Sequence, residues 1–411
     1  MCQLIKKSSS CKTTECIICV NNFSFHALSL IMRDVGSALN LYINDNLMLD
    51  FGFDEKKVKC KCCYYKCCYM DCFYLKKYIT TFVLSHFHFD HYNGLFLFKN
   101  SLSQRLQNLQ YIYYPGLPQI LNANDQNIGK EFYTYLFAMN HFLLGDKTGV
   151  PPADLISVLL EIKKGSFKYA PLYTDDKFIH NNIEYEVLWP PRIIRNDGKI
   201  IKAVQEAIND FEEAAEENPE LKKLAEQYYR ILDKYLVEEG IKMKKFDESS
   251  KKDNLTYYIY PNEDMQKAKY KDKDLEINLA KLEKFNEATK LSTSVQTANK
   301  SLRKAANHLS LAFVSKNNEL LFFGDLKANE INTLCSDKRL ENSLFLIFIT
   351  PHHGTHAGKN IKFISSFFSL SSVGENLYCN YLKNKAKYLE SISNYLYDTY
   401  RDGCINVSIM T

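Results

Sequence analysis

Short apolar runs, each stopped by Asn, Asp, Gly, Pro or His, recur along most of the chain, and that punctuation reads as buried strands separated by turns. Ala27 to Asp34 and Leu41 to Asp50 are two such runs, joined as a hairpin through Val35-Gly36-Ser37-Ala38-Leu39-Asn40. The second ends in Leu49-Asp50-Phe51-Gly52, where a buried strand must turn. Further strands are predicted at Tyr78 to Leu84, Tyr111 to Tyr114, Ile183 to Trp189, Asn254 to Tyr260, His308 to Ser315, Leu320 to Phe323, Leu344 to Thr350 and Cys404 to Met410. Lys316-Asn317-Asn318-Glu319 reads as a hairpin turn, and helices are predicted at Phe96 to Leu109, Glu131 to Leu144, Asp154 to Ile162 and Asn380 to Ser393.

Between about 200 and 292 the period changes. Ile201, Val204, Ile208, Phe211 and Ala215, then Leu221, Leu224, Tyr228, Ile231 and Tyr235, keep three-and-four spacing among Glu and Lys, and Leu275 to Leu291 supplies a partner. The expectation is an inserted helical hairpin, either a packing device or a surface for a protein partner or self-association. Residues 1–26 form a polar N-terminal extension without sustained periodicity, and 27–411 form one α+β domain that carries the insertion.

Composition narrows the class. Of 411 residues, 46% are apolar and 24% charged, as in ordinary globular proteins. The formal charge of +4, from 52 basic and 48 acidic residues, gives no bulk argument for a nucleic-acid surface. Phe23 to Met32 is too short for a membrane span and no cleavage pattern follows it, so no span and a cytoplasmic setting are expected.

Thirteen cysteines, an odd total, point to reduced thiols. Cys16-Ile-Ile-Cys19 has the spacing of half a zinc site, with no second pair nearby. Cys60, Cys63 and Cys67 fall at i, i+3 and i+7 within a knot of six, either a small apolar helix stripe or a metal or redox cluster.

Three of the apolar runs stop at metal-type ligands. Tyr78 to Leu84 is followed by Ser85-His86-Phe87-His88-Phe89-Asp90-His91, Leu320 to Phe323 by Gly324-Asp325, and Leu344 to Thr350 by Pro351-His352-His353-Gly354-Thr355-His356. Strands of one sheet bring their ends to one edge, so ligands distant in sequence can converge. Imidazole and carboxylate together suit zinc, with manganese or iron as alternatives. Gly94, just past the first motif, lets the backbone pass close to the site. The lone His26, His141, His180 and His308 read as ordinary polar residues.

This pattern resembles the metallo-β-lactamase-fold hydrolase superfamily, whose mark is HxHxDH after a strand, then a bridging aspartate and a late histidine. Asp34-Val35-Gly36, Leu49-Asp50-Phe51-Gly52, Asn307 with Ser310, Phe323-Gly324-Asp325 and Pro351-His352-His353-Gly354 look like the hydrolase domain of competence (ComEC-type) DNA-uptake proteins, from about Ala27 to Met410. The resemblance implies an αββα sandwich holding one or two ions. His86, His88, Asp90 and His91 would be ligands, Asp325 the bridge and His352 the late ligand, with His353 behind it or exchanging roles with it. Most members place another histidine between the first motif and the bridging aspartate; His141 and His180 are the candidates. Where competence-type domains tend to carry a His-Pro pair, this chain reads Tyr378-Cys379-Asn380.

The activity so implied is hydrolysis by metal-activated water, on phosphodiesters of nucleic acid or nucleotides. Asp90 would be ligand or proton acceptor and His356 an oxyanion or proton donor. The same fold also accommodates hydrolysis of a lactone, thioester or β-lactam, and a non-catalytic metal-binding scaffold is the reading from a different class.

Overall fold

The computed structural model describes residues 2–8, 13–19, 28–32, 39–44, 46–52, 78–97, 102, 105–144, 159, 167–230, 232 and 291–410. The Cys-rich knot from Cys60 to Cys72 and the strand expected over Asn254 to Tyr260 lie outside them, as does nearly all of Asp154 to Ile162 and of Leu275 to Leu291. Helices and mixed sheets make the chain α+β, and the described residues fall into two compact units. The first takes in residues 1–115, 159–190 and 307–411, and the second 116–158 and 191–306.

In chain order the strands are β1 (Cys2–Ser8), β2 (Thr13–Cys19), β3 (Leu28–Met32), β4 (Asn40–Ile43), β5 (Leu47–Phe51), β6 (Thr81–Val83), β7 (Tyr111–Pro115), β8 (Gln119–Ile120) and β9 (Lys168–Leu172). They continue as β10 (Lys177–His180), β11 (Ile183–Trp189), β12 (Ile193–Ile194), β13 (Ala312–Ser315), β14 (Leu320–Phe322), β15 (Leu344–Ile349), β16 (Ser365–Ser371), β17 (Ser393–Asp398) and β18 (Cys404–Met410). Within the first unit one sheet has the order β1-β2-β18-β3-β4-β5-β6-β7-β9 and the other β10-β11-β13-β14-β15-β16-β17. Parallel pairing is concentrated where the chemistry will be: β5-β6-β7-β9 in the first sheet and β14-β15-β16-β17 in the second.

Several boundaries differ from expectation for local reasons. The run Leu41 to Asp50 is not one strand; Asn44 takes a left-handed φ of 50°, which asparagine tolerates, and folds the run into the β4-β5 hairpin. The first nineteen residues, expected as an extension, contain β1 and β2, because β2 finds its partner in β18 at the far end of the chain.

The helices include α1 (Asn93–Leu97), α2 (Gly129–Leu144), α3 (Gly198–Glu217), α4 (Thr293–Asn307), α5 (Ala328–Cys335) and α6 (Glu375–Asn384). Asp197 caps α3, its side chain accepting from Lys199 N and Ile200 N, and α3 buries Ile200, Val204, Ile208 and Phe211. Pro219 cannot continue the ladder, so the single long helix expected there breaks at Asn218 and resumes over 219–230. The neighbour of α3 is α4, antiparallel to it: Ser294 donates to Glu217, Ser301 to Asp210 and Lys304 to Glu206. Tyr135 of α2 stacks on Phe211 at 4.2 Å, so α3 packs on α2 within the second unit.

In the first unit α5 and α6 bury Ile331, Leu334, Cys335 and Tyr381 against Ala312, Val314, Leu321, Phe323, Phe345 and Phe348. Between the sheets, Phe178 of β10 meets Tyr113 of β7 at 5.0 Å and stacks on Tyr185 at 4.8 Å. Among the described residues no helix is long and apolar enough to cross a membrane.

One residue at the end of β14 has no tolerance for a side chain. Gly324 has φ +51°, and a Cβ there would lie 2.7 Å from Leu311 O. Gly324→Ala is therefore expected to destabilise the fold by about 1–3 kcal/mol, read as a lower denaturation midpoint at unchanged slope. An unchanged midpoint would show that the turn relaxes freely.

Candidate metal centre

Parallel strands place the carboxyl ends of β5, β6, β14 and β15 where their following residues can meet. Leu49 is in register with Val83, so Asp50 stands beside the chain as it leaves β6, and Ser85 N donates to Asp50 Oδ1 at 2.6 Å. Phe322 is in register with Ile349; the chain then turns at Gly324, whose carbonyl accepts from His352 N at 2.9 Å. A third bond, from Leu311 N to Ser85 O at 2.7 Å, ties the entry of β13 to the exit of β6.

Four imidazoles face one carboxylate oxygen across these turns. Asp325 Oδ2 lies 3.9 Å from His86 Nε2, 3.8 Å from His91 Nε2, 4.0 Å from His352 Nε2 and 3.7 Å from His353 Nε2. These separations are too long for hydrogen bonds. They approach the roughly 3.3–3.6 Å between two donors each about 2.0–2.2 Å from one tetrahedral ion. His86, His91 and Asp325, all buried, form a group whose ligand atoms lie within 4.8 Å of one another and could hold a metal ion. His86 Nε2 and His91 Nε2 are buried without a hydrogen-bond partner, and a buried polar nitrogen left so calls for an ion or water.

The opposite edges of those two rings are fully engaged. Asp50, with no exposure, accepts from His91 Nδ1 at 2.7 Å and from Ser85 Oγ at 2.5 Å. Since the Ser85 proton goes to Asp50, its oxygen accepts from His86 Nδ1 at 3.0 Å. Both rings thus carry hydrogen on Nδ1 and turn Nε2 to the centre, as a lone pair at His86 and, once its second proton has left, at His91 as well, the tautomer a metal ligand needs. Asp50 was legible as a strand-end carboxylate but not as the anchor of this network, because Ser85 and His91 reach it only through the β5-β6 pairing.

Charge is balanced inside the cluster. Burial alone would raise the Asp325 pKa, but His352, His353, His91 and His86 around it hold the carboxyl well below the usual range. Burial likewise lowers His91, yet the charge and hydrogen bond of Asp50, helped by Asp325 and Asp90, bring it to about 9. An arriving cation therefore competes with a proton for His91 Nε2. His86, desolvated and crowded by His91 and His88, is held well below its ordinary value and is neutral.

The other expected residues surround this core. His88 is buried with its ring 4.2 Å from His86, and Asp90 is half-buried in the 3₁₀ turn Phe89–His91. His352 and His353 occupy consecutive left-handed positions, φ 47° and 60°, in a tight turn that aims both Nε2 atoms at Asp325. His356 stacks on His352 at 4.1 Å, and burial, with Lys327 beside it, pushes its pKa down to about 4. Lys327, not singled out in the sequence, places Nζ 3.3 Å from His352 Nδ1. Buried Glu330 fixes it by accepting from Lys327 N at 3.1 Å, and also meets His308 Nδ1 at 2.9 Å.

Each candidate for the middle histidine has a hydrogen-bond partner of its own. His141 is on α2 in the other unit, its Nδ1 2.7 Å from Tyr228 Oη. His180 bonds Thr81 Oγ1 at 3.0 Å and Asn46 Oδ1 at 2.7 Å, at the start of β6, the end away from His86. Gly94 serves a different close approach: a Cβ there would fall 2.5 Å from Phe51 O.

No protein-family model matches the chain, and no curated protein is significantly similar to it.

Asp50→Asn keeps the shape but weakens the hold on His91 and Ser85. Zinc affinity, measured by competition with a chromophoric chelator, should drop about 10–100-fold; an unchanged affinity would remove Asp50 from the account. Burial also pushes His180 down to about 4, so it stays neutral in the fold. Its folded pKa lies below the unfolded value, so its contribution is complete above about 6.5 and is lost as pH falls toward 4. Wild type should lose up to about 3 kcal/mol relative to His180→Gln across that window, and parallel stability curves would contradict this.

Proposed function

We propose that the chain is a metal-dependent hydrolase whose ion sits among His86, His91 and Asp325 and whose substrates are phosphodiesters of the nucleic-acid or nucleotide class. The observation that carries the reading is the pair of buried, unpartnered atoms His86 Nε2 and His91 Nε2, facing the same carboxylate oxygen at 3.9 and 3.8 Å. The donor set suits zinc, with manganese or iron as alternatives. When bound, such an ion supplies Lewis acidity and brings the pKa of water to about 7.

The chain's own residues supply the remainder. Asp50 and Ser85 orient His91 and His86. Asp90, in the turn between His88 and His91, is the carboxylate offered for proton acceptance. Lys327, near His352, adds positive charge suited to an anionic substrate. The likeness of the motifs to metallo-β-lactamase-fold hydrolases, and within them to the competence-type domain, supports hydrolysis. An αββα layering is supported by α5 and α6 on one face of the second sheet and by aromatic contact between the sheets. The odd cysteine total suits a reducing compartment such as the cytoplasm.

The test is hydrolysis of bis-p-nitrophenyl phosphate with Zn²⁺ or Mn²⁺. Turnover should vanish on chelation, return with metal and fall about 10²–10⁴-fold in Asp90→Ala. Turnover of lactones or thioesters in place of phosphodiesters would move the substrate class. Tightly bound metal without mutation-sensitive turnover on any of them would favour a scaffold.

A further inference from the structure

The two neighbouring histidines of the late motif face Asp325 at nearly equal distance, yet their surroundings ask different things of them. A neutral imidazole has one N–H and one lone pair, and the partner of one nitrogen decides which edge carries which. For His91 and His86 the outer nitrogen meets an acceptor, Asp50 and Ser85 Oγ respectively, so Nδ1 keeps its hydrogen and Nε2 is the edge left for an ion, directly at His86 and on loss of its proton at His91.

At His352 the situation is reversed. Its Nδ1 faces Lys327 Nζ at 3.3 Å and Asn307 Nδ2 at 3.5 Å. An ammonium has three donors and no acceptor, so His352 Nδ1 must accept. The ring proton then resides on Nε2, the edge turned toward Asp325. A nitrogen that carries hydrogen cannot ligate a metal. The ring is not free to turn away from this arrangement: His356 stacks on it at 4.1 Å, and His352 N is bonded to Gly324 O at 2.9 Å. His353, more deeply buried and 3.7 Å from the same oxygen, stands on the other side of the turn.

We propose that His353 supplies the third imidazole to the ion, and that His352 is held by Lys327 as an Nε2–H donor to a phosphoryl oxygen of the substrate. This rests on the metal-centre reading above and refines it. His352 would touch substrate, while Lys327 is a positioning residue acting through it. A hydrogen bond to a developing oxyanion inside a dry site contributes more to the transition state than to the ground state.

The experiment compares wild type, His352→Ala and His353→Ala, purified with zinc. Metal content is read by plasma mass spectrometry and turnover with bis-p-nitrophenyl phosphate. His353→Ala should lose zinc affinity about 10–100-fold. His352→Ala should keep its zinc and lose turnover about 10²–10³-fold. Zinc lost from His352→Ala and kept by His353→Ala would overturn the assignment while leaving the metal centre intact. If wild type itself holds no zinc, the metal-centre reading fails and this ligand assignment with it.

The tautomer is read independently by ¹⁵N-histidine NMR of wild type, which needs neither variant to fold. Hydrogen on His352 Nε2, shifting toward Nδ1 in Lys327→Met, is expected. Hydrogen on Nδ1 in wild type would overturn the proposal.

Discussion

Asp325 Oδ2 is the point on which the site depends. Four imidazoles approach it at 3.7–4.0 Å, too far to donate and too near to be indifferent. A buried carboxylate is costly unless compensated by charge or hydrogen bonds, and here the compensation comes from residues delivered by two other strand ends. The parallel pairing β14-β15 brings Asp325 beside His352 and His353, while the first motif comes from the other sheet, the exit of β6 being tied to the entry of β13 by the bond from Leu311 N to Ser85 O. The positive φ at Gly324 lets the chain reverse directly into Asp325.

A second layer decides what each ring can do. Asp50 and Ser85 act as acceptors toward His91 and His86, whereas Lys327 can act only as a donor toward His352. Glu330 anchors that lysine by its backbone and holds His308 with its other oxygen. The neutral rings of His86 and His352 thereby differ in polarity at the edge facing the centre.

Much of the cluster was legible in the sequence because its residues follow uninterrupted apolar runs. His86, His91, His352 and His353, which face Asp325, were all visible that way, as was Asp325 itself. What was hidden depends on pairings distant in the chain. The role of Asp50 needs Ser85 placed beside it by the β5-β6 register, and β1 and β2 owe their strand state to β18. β16 and β17 went unread because Ser365-Ser366-Phe367-Phe368-Ser369-Leu370-Ser371 and Ser393-Asn394-Tyr395-Leu396-Tyr397-Asp398 mix hydroxyls into what are parallel strands. Asn44 and Pro219 each broke a continuous apolar pattern through backbone geometry, which periodicity does not register. His180 lies between the first motif and Asp325 in sequence but at the start of β6 in space.

Anomalous diffraction from a crystal grown with zinc, recorded on both sides of the metal edge, tests the central claim most directly. A peak about 2.0–2.2 Å from His86 Nε2, His91 Nε2 and an Asp325 carboxylate oxygen is expected. No peak there, or zinc bound only by the cysteines from Cys60 to Cys72, would contradict the account.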